Sequence, residues 1–315
     1  MPSTQFAVQT NALARSFKET RAVDGLNLDV RDGELFGLIG PDGAGKTTTL
    51  RLLAGLLTVS AGTAQVLGHD LKREAEAIKP SIGYMAQQFS LYGELSVLEN
   101  LLFFAEIFEI DPAELDGRVA RLLEFAGLTH FSDRRAAHLS GGMQKKLALA
   151  CTLIHEPKLL LLDEPTTGVD PVSRREFWNI LADLHARGST IIVSTPYMDE
   201  ADRCSMVGLM NAGKLIRCDT PENLRAQVPG SLLDLHCSDW RKAKQLLSAA
   251  PGILELQTYG DRLHLLVDNE KQRKPEIKAL LEQSAIQIDS LQSAPTRMEE
   301  SFISIMRSLD NPAEV

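Results

Sequence analysis

Eight residues, Gly40-Pro41-Asp42-Gly43-Ala44-Gly45-Lys46-Thr47, constrain this chain more than any other stretch. They follow a buried-strand pattern, Gly33–Gly40, and precede an apolar helical one, Thr49–Leu57. In that setting GxxxxGK[ST] is a phosphate cradle. Its glycines let backbone N–H groups turn inward around phosphate oxygens, and the helix N-terminus adds the positive end of its dipole. Lys46 can then reach the β- and γ-phosphates of a nucleotide, and the Thr47 hydroxyl can ligate Mg²⁺, with Thr48 in the same helix start.

From Gln5 to about Pro229, short apolar runs alternate with helical stretches, the pattern of an α/β domain. Leu159–Leu162 and Thr190–Ser194 read as buried strands, and Val207–Ile216 as two strands around an Asn-Ala-Gly turn. Leu98–Leu128 is helical by its spacing and carries no strand signature, so it reads as a helical insertion. Asp163 and Glu164 close the Leu159–Leu162 run. A carboxylate there can enter a magnesium shell, and the next can polarise an attacking water. The same pattern also fits a strand capped by a surface acidic pair. Leu139-Ser140-Gly141-Gly142-Met143-Gln144 opens a predicted helix, Met143–Ile154, and offers a second anion-binding helix start or a plain N-cap. One phosphate loop already serves one nucleotide. A second such start is explained if two subunits face head to tail, each completing the other's site.

These elements, in this order, resemble the ATP-binding subunit of an ABC transporter over about residues 5–228. Lys46, Gln87, Ser140 and Asp163 are separated by 41, 53 and 23 residues. The resemblance implies a P-loop NTPase core with an N-terminal antiparallel β-region and a helical insertion at about 88–150, using ATP and Mg²⁺. It implies nucleotide contacts from Phe17, stacking on adenine, from Gly40 through Thr48, and from Ser140, Gly141, Gly142, Gln144 and Asp170. Metal contacts would come from Thr47, Gln87 and Asp163, and catalysis from Glu164 and Gln87. Gln87, in Tyr84-Met85-Ala86-Gln87, would face the membrane partner, and Asp170 would cross to the other subunit. Phe17 as core filler, and Gln87 and Asp170 as turn residues, stay open as readings.

The segment Phe89–Asn100 and the stretch Met298–Ile303 are similar to ABC-2 exporters of drugs and polysaccharides. Within the family the chain resembles the first ATP-binding half of two-half exporter ATPases, standing alone. That implies a separate membrane permease docking around Gln87–Phe108, and a place at the cytoplasmic face of the plasma membrane. Two positions depart from the family pattern. Pro196 stands where a histidine contacting the γ-phosphate is usual, and proline has neither a side-chain donor nor a backbone N–H. No histidine lies within ten residues of it. A degenerate site is therefore expected, with pairing to a histidine-bearing second ATP-binding domain favoured over a homodimer. Asp42 stands where asparagine is usual and adds a negative charge beside the phosphates.

Composition narrows the remaining classes. Acidic residues outnumber basic ones, 42 to 33, which argues against a nucleic-acid footprint. No apolar run approaches the roughly 20 residues of a membrane span, and the N-terminal MPSTQFAVQT reads as no signal peptide. The four cysteines lack CxxC spacing and read as buried free thiols. An ABC ATPase acting on ribosomes or nucleic acid, or a regulatory, nearly inactive subunit, remain the alternatives. A second domain is expected over 229–315, after the turn formers Gln227–Ser231. Its strand–helix–strand–strand–helix–strand rhythm is the ferredoxin-like order. It carries no recognisable chemistry, and His236 and His264 read as strand surface residues.

Overall fold

The computed structural model describes residues 5–88 and 90–310, so Phe89 of the exporter-like segment lies outside the described residues. The chain packs into two compact units that divide between Pro221 and Glu222, somewhat before the turn-rich stretch at Gln227–Ser231.

The first unit begins with antiparallel strands β1 (Phe6–Phe17), β2 (Thr20–Leu26) and β3 (Asp29–Arg31), followed by β4 (Leu35–Ile39) and helix α1 (Lys46–Leu53). Then come β5 (Ala61–Val66), β6 (His69–Asp70), the single-turn α2 (Ala75–Ile78) and β7 (Ile82–Met85). Three helices follow, α3 (Val97–Ile107), α4 (Pro112–Phe125) and α5 (Gly141–Leu153). The unit closes with β8 (Leu159–Asp163), α6 (Pro171–Ala186), β9 (Thr190–Thr195), β10 (Met206–Asn211) and β11 (Lys214–Asp219). Strands β1, β2, β3, β5 and β6 form an antiparallel sheet.

The other sheet has the order β11-β10-β4-β9-β8-β7 and is parallel except at the β11 edge. Every residue of β4, β8 and β9 is buried. That is why these strands read as unbroken apolar runs: helices or a second sheet cover both of their faces. The apolar layer between the sheets gathers Phe36, Leu38, Leu50, Leu53 and Leu161 with Val8, Leu26 and Val66. β4 is flanked by β9 on one side and β10 on the other, so the carboxyl ends of these parallel strands lie side by side. Register fixes what meets there. Ile39 pairs with Thr195, Asp163 with Ser194, and Met85 with Leu162.

Helices α3, α4 and α5 have their own core, built on Val97, Leu101, Val119, Leu123, Leu147 and Ile154. Ser96 and Glu99 form a reciprocal capping box that starts α3. Buried Asn100 donates to the carbonyls of Tyr92, Leu95 and Ser96, which closes the loop before that helix. Two helices start earlier than their apolar spacing predicts, and caps explain both. Gly45, at φ 103°, lets α1 begin at Lys46 rather than Thr49, and the Ser140 hydroxyl lets α5 begin at Gly141 rather than Met143.

A short helix α7 (Pro221–Ala226) leads into β12 (Ser231–Cys237), α8 (Trp240–Leu247), β13 (Ile253–Tyr259), β14 (Arg262–Val267), α9 (Glu270–Gln283), β15 (Ile288–Ala294) and α10 (Met298–Asp310). The second unit's four strands pair antiparallel in the order β13-β14-β12-β15, the split βαβ arrangement. Leu233, Leu235, Leu263, Leu265 and Val267 pack with Ala243, Leu247, Ile277 and Leu281 of α8 and α9. His264 corrects the surface reading. It is buried, stacked on Tyr259, with Nδ1 3.4 Å from the buried Glu300 of α10. His236 is half-buried between Asp261 and Asp289, 3.3 Å from each. Cys151, Cys204 and Cys237 are buried as expected, but Cys218 is exposed on the edge strand β11. Among the described residues no helix is long and apolar enough to cross a membrane.

Candidate nucleotide site

The loop between β4 and α1 is shaped by what its glycines leave out. A Cβ on Gly40 would lie 2.1 Å from the Met210 carbonyl oxygen, and one on Gly45 2.3 Å from that of Ala22. Strands β10 and β2 thus press on the loop where only glycine fits, and Gly45 also has positive φ. Pro41, Asp42 and Gly43 form its exposed crown, while Ala44 is buried. Helix α1 has no side-chain N-cap and no acidic residue in its first turn, so no side chain competes for its leading N–H groups. Lys46 is 4% exposed, and its Nζ donates to the carbonyls of Gly40 (2.8 Å) and Pro41 (3.0 Å). The lysine therefore lies within the loop instead of reaching solvent, 3.6 Å from Glu164 Oε1.

The carboxylates closing β8 are fully engaged. Asp163 Oδ1 accepts from Thr47 Oγ1 (2.9 Å) and from Ser194 Oγ (2.7 Å), and Oδ2 from the Tyr84 hydroxyl (3.4 Å). Glu164 Oε2 accepts from Gln87 Nε2 (2.8 Å) and from Thr167 Oγ1 (3.2 Å). Both carboxylates are buried, which rules out the surface acidic pair that the pattern also allowed. Glu164 has φ 46°, a left-handed conformation that a non-glycine residue holds only when its surroundings over-determine it. Its amide donates to the Ser194 carbonyl and hydroxyl, each at 3.1 Å. Lys145, from α5, donates to the Gln87 carbonyl (2.5 Å). Burial holds its ammonium pKa below the ordinary value, against the opposing pull of Asp163 and Glu164. Lys46, Thr47, Gln87, Asp163 and Glu164 are thereby brought together.

The oxygen atoms of Thr47, Asp163 and Gln87 are the hard donors that suit Mg²⁺. Ser194, Tyr84 and Lys145 complete the group, although no sequence motif signals them. Ser194 is legible only as the last residue of a buried strand, and Tyr84 only as a neighbour of Gln87.

The remaining predicted contacts lie elsewhere on the unit. Ser140 caps α5 through the Met143 amide (3.3 Å), and Gln144 Nε2 donates to the Ala136 carbonyl (3.0 Å). Asp170 caps α6 through the amides of Val172 (3.1 Å) and Ser173 (3.0 Å), and these bonds, the Ser173 one foremost, hold its carboxyl below the usual range. A Cβ on Gly142 would lie 2.4 Å from that of Ser173, so glycine lets the starts of α5 and α6 meet. Phe17 is exposed, with the Arg15 guanidinium 4.6 Å over its ring, which removes the core-filler reading. Among the described residues, no hydrogen bond or ion pair joins Phe17, Ser140 or Asp170 to the Lys46–Asp163–Glu164 group. Two clefts, of about 710 and 430 Å³, open beside Arg187 and Ser189 at the other end of β9.

A family profile described as ABC transporter matches residues 23–167. The daunorubicin/doxorubicin resistance ATP-binding protein DrrA of Streptomyces peucetius is 34% identical over 304 residues, 95% of this chain and 92% of that protein. This chain belongs to the ABC transporter ATP-binding proteins. Its relatives are named as ATP-binding proteins of multidrug ABC transport, of daunorubicin/doxorubicin resistance and of Nod factor export. The probable multidrug ABC transporter ATP-binding protein YbhF of Escherichia coli (strain K12) is 44% identical over 220 residues. That match takes in 70% of this chain but 38% of YbhF, so the chain spans about two fifths of that relative's length. The fold of the ABC unit matches a dimeric, post-hydrolysis structure of the ATP-binding cassette MJ0796 bound to ADP and Pi, with TM-score 0.62 and 26% identity. The match covers 68% of this chain and 98% of that one.

Proposed function

We propose that this ABC ATPase drives an ABC-2-type exporter, binding ATP at the Gly40–Thr48 loop and coupling closure of two ATP-binding domains to a separate membrane permease. The observation that carries the reading is the convergence of Lys46, Thr47, Gln87, Asp163 and Glu164 at the carboxyl ends of neighbouring strands. Lys46 exchanges its loop carbonyls for the β- and γ-phosphates, and the α1 amides receive phosphate oxygens. Thr47, Asp163 and Gln87 would hold Mg²⁺, which when bound offsets phosphate charge. Glu164 orients and polarises the attacking water, with Gln87 and Thr167 fixing its carboxylate. Phe17, exposed, is free to stack on the adenine. Ser140, Gly141, Gly142 and Gln144 at the start of α5, with Asp170, serve the nucleotide of the facing domain. The chain would then sit at the cytoplasmic face of the plasma membrane through its permease, with residues 229–315 as an accessory domain.

Pro196 follows β9 directly and offers no donor toward a γ-phosphate. Losing one positioned catalytic group costs about 10²–10⁴ in rate, so this chain's own site turns over slowly while still binding ATP. A heterodimer with a histidine-bearing domain uses such a chain best. The same residue also fits a nearly silent regulatory subunit. ATPase assays of the full chain and of Pro196→His test the reading. The expected result is slow turnover that the histidine raises at least tenfold. Ordinary transporter turnover in the wild type, unchanged by the substitution, would sink the degenerate site, and unchanged slow turnover would favour the silent subunit.

A further inference from the structure

Glu200 is 1% exposed, yet it sits in Asp199-Glu200, an acidic pair of the solvent-facing kind. Its Oε1 accepts from Thr166 Oγ1 (2.7 Å), Arg174 Nε (2.7 Å) and Trp178 Nε1 (2.9 Å), and its Oε2 from Thr195 Oγ1 (2.6 Å). Arg174 balances the charge, forks onto both oxygens of Asp199 (2.8 Å each), and lies 4.4 Å over the Tyr197 ring. A buried ion pair of this kind contributes little net stability over well-packed apolar residues. What it does here is join two segments that share no strand pairing. One is Thr166 with α6, which follows β8. The other is the end of β9 at Thr195.

Each segment touches the hydrolytic carboxylates one residue away from its bond to Glu200. Thr167, next to Thr166, donates to Glu164 Oε2. Ser194, next to Thr195, donates to Asp163 and accepts from the Glu164 amide. Glu164 itself holds a left-handed backbone conformation that must be enforced from outside. The Tyr197 amide returns to Thr195 Oγ1 (3.1 Å), again onto a ligand of Glu200.

We propose that Glu200 is a positioning residue for hydrolysis, clamping the Thr166–Thr167 turn to the end of β9 so that Glu164 is held in its working geometry. The proposal rests on the ATPase reading. The hydrogen-bond partners of the Glu200 carboxylate, Thr166, Arg174, Trp178 and Thr195, do not belong to the Gly40–Thr47 loop, so the clamp governs turnover and leaves nucleotide binding alone.

The test uses the full chain, single-turnover hydrolysis of labelled ATP, and a binding titration with ADP. Glu200→Gln keeps the shape and the acceptor on Thr166, Arg174 and Trp178 while removing the charge. It is expected to lower kcat about tenfold with KM and ADP affinity within twofold. Thr166→Val and Thr195→Val each cut one side of the same clamp. Their double variant should be no slower than the worse single, the non-additivity of residues that act as a unit. Should Glu200→Gln fail to fold, the two threonine variants carry the test. A folded Glu200→Gln with wild-type kcat overturns the proposal. So do kcat losses that add across the two threonines and track a falling Tm and a rising KM, since these mark a structural role alone. A wild-type chain that binds ADP but never hydrolyses ATP fails differently. It overturns the hydrolytic reading of the site, and the clamp with it.

Discussion

The two halves of the nucleotide site are built from different materials. The phosphate loop is a backbone object: its shape comes from Gly40 and Gly45 pressed against the carbonyls of Met210 and Ala22, and the amides at the start of α1 carry no side-chain cap. The rim proposed to hydrolyse is a side-chain object. Asp163, Glu164, Gln87, Thr167 and Ser194 reach one another from separate places in the chain, and Glu200 joins Thr166 and Thr195, the neighbours of two of them. In such a loop as the first the shape, as distinct from the Lys46 and Thr47 side chains it presents, is sensitive chiefly to an added Cβ. A side-chain site can lose one function and keep its frame. On that difference, Pro196 can stand where the family resemblance implies a histidine while the phosphate loop stays complete.

The hardest break to the rim is Glu164→Gln. The carboxylate is buried and already bonded by Gln87 and Thr167, so the amide keeps the shape and loses the basicity. Turnover should fall about 10²–10⁴-fold, while ADP affinity and Tm stay near wild type. A parallel loss of affinity, seen in a binding titration, would show that rim and loop are one object after all.

The matching break to the loop is Gly40→Ala. A Cβ placed 2.1 Å from the Met210 oxygen must push β10 or the loop aside, at about 1–3 kcal/mol by analogy with overpacked cores. Thermal unfolding should show a clear drop in Tm, and ADP titration a loss of affinity, because strain and phosphate binding share one backbone. A variant with a wild-type Tm would mean that the loop yields freely, and the contrast between the halves would collapse.

The same division decides what is legible in the amino-acid sequence. The loop is legible because backbone geometry demands glycine at set spacings, and spacing survives in a sequence. Strands β4, β8 and β9 are legible because burial on both faces forces unbroken apolar runs. Glu200 is not, since Asp199-Glu200 has the composition of a solvated turn. Its burial depends on Thr166, Arg174 and Trp178, which lie more than twenty residues earlier in the chain. His264 misleads for the same reason. On an exposed face of β14 it would be a surface residue, but α10 brings Glu300 over it, and nothing in the β14 pattern announces that cover. Helix starts slip by two or three residues where a cap rather than apolar spacing sets them.

The smallest effect tests the contrast most finely. Asp42 stands on the exposed crown of the loop, where a carboxylate repels phosphate without touching it. Exposed charges interact weakly, typically within about 1 kcal/mol, and salt screens them over about 8 Å at physiological strength. Asp42→Asn should therefore tighten ADP by less than about fivefold, with the gain shrinking as salt is raised and turnover at saturating ATP unmoved. Titrations at low and high salt read this directly. A gain above tenfold that ignores salt would place the carboxylate against the phosphates, inside the cradle. The loop would then have a side-chain component of its own, and the line between a backbone that binds and side chains that hydrolyse would have to be drawn elsewhere.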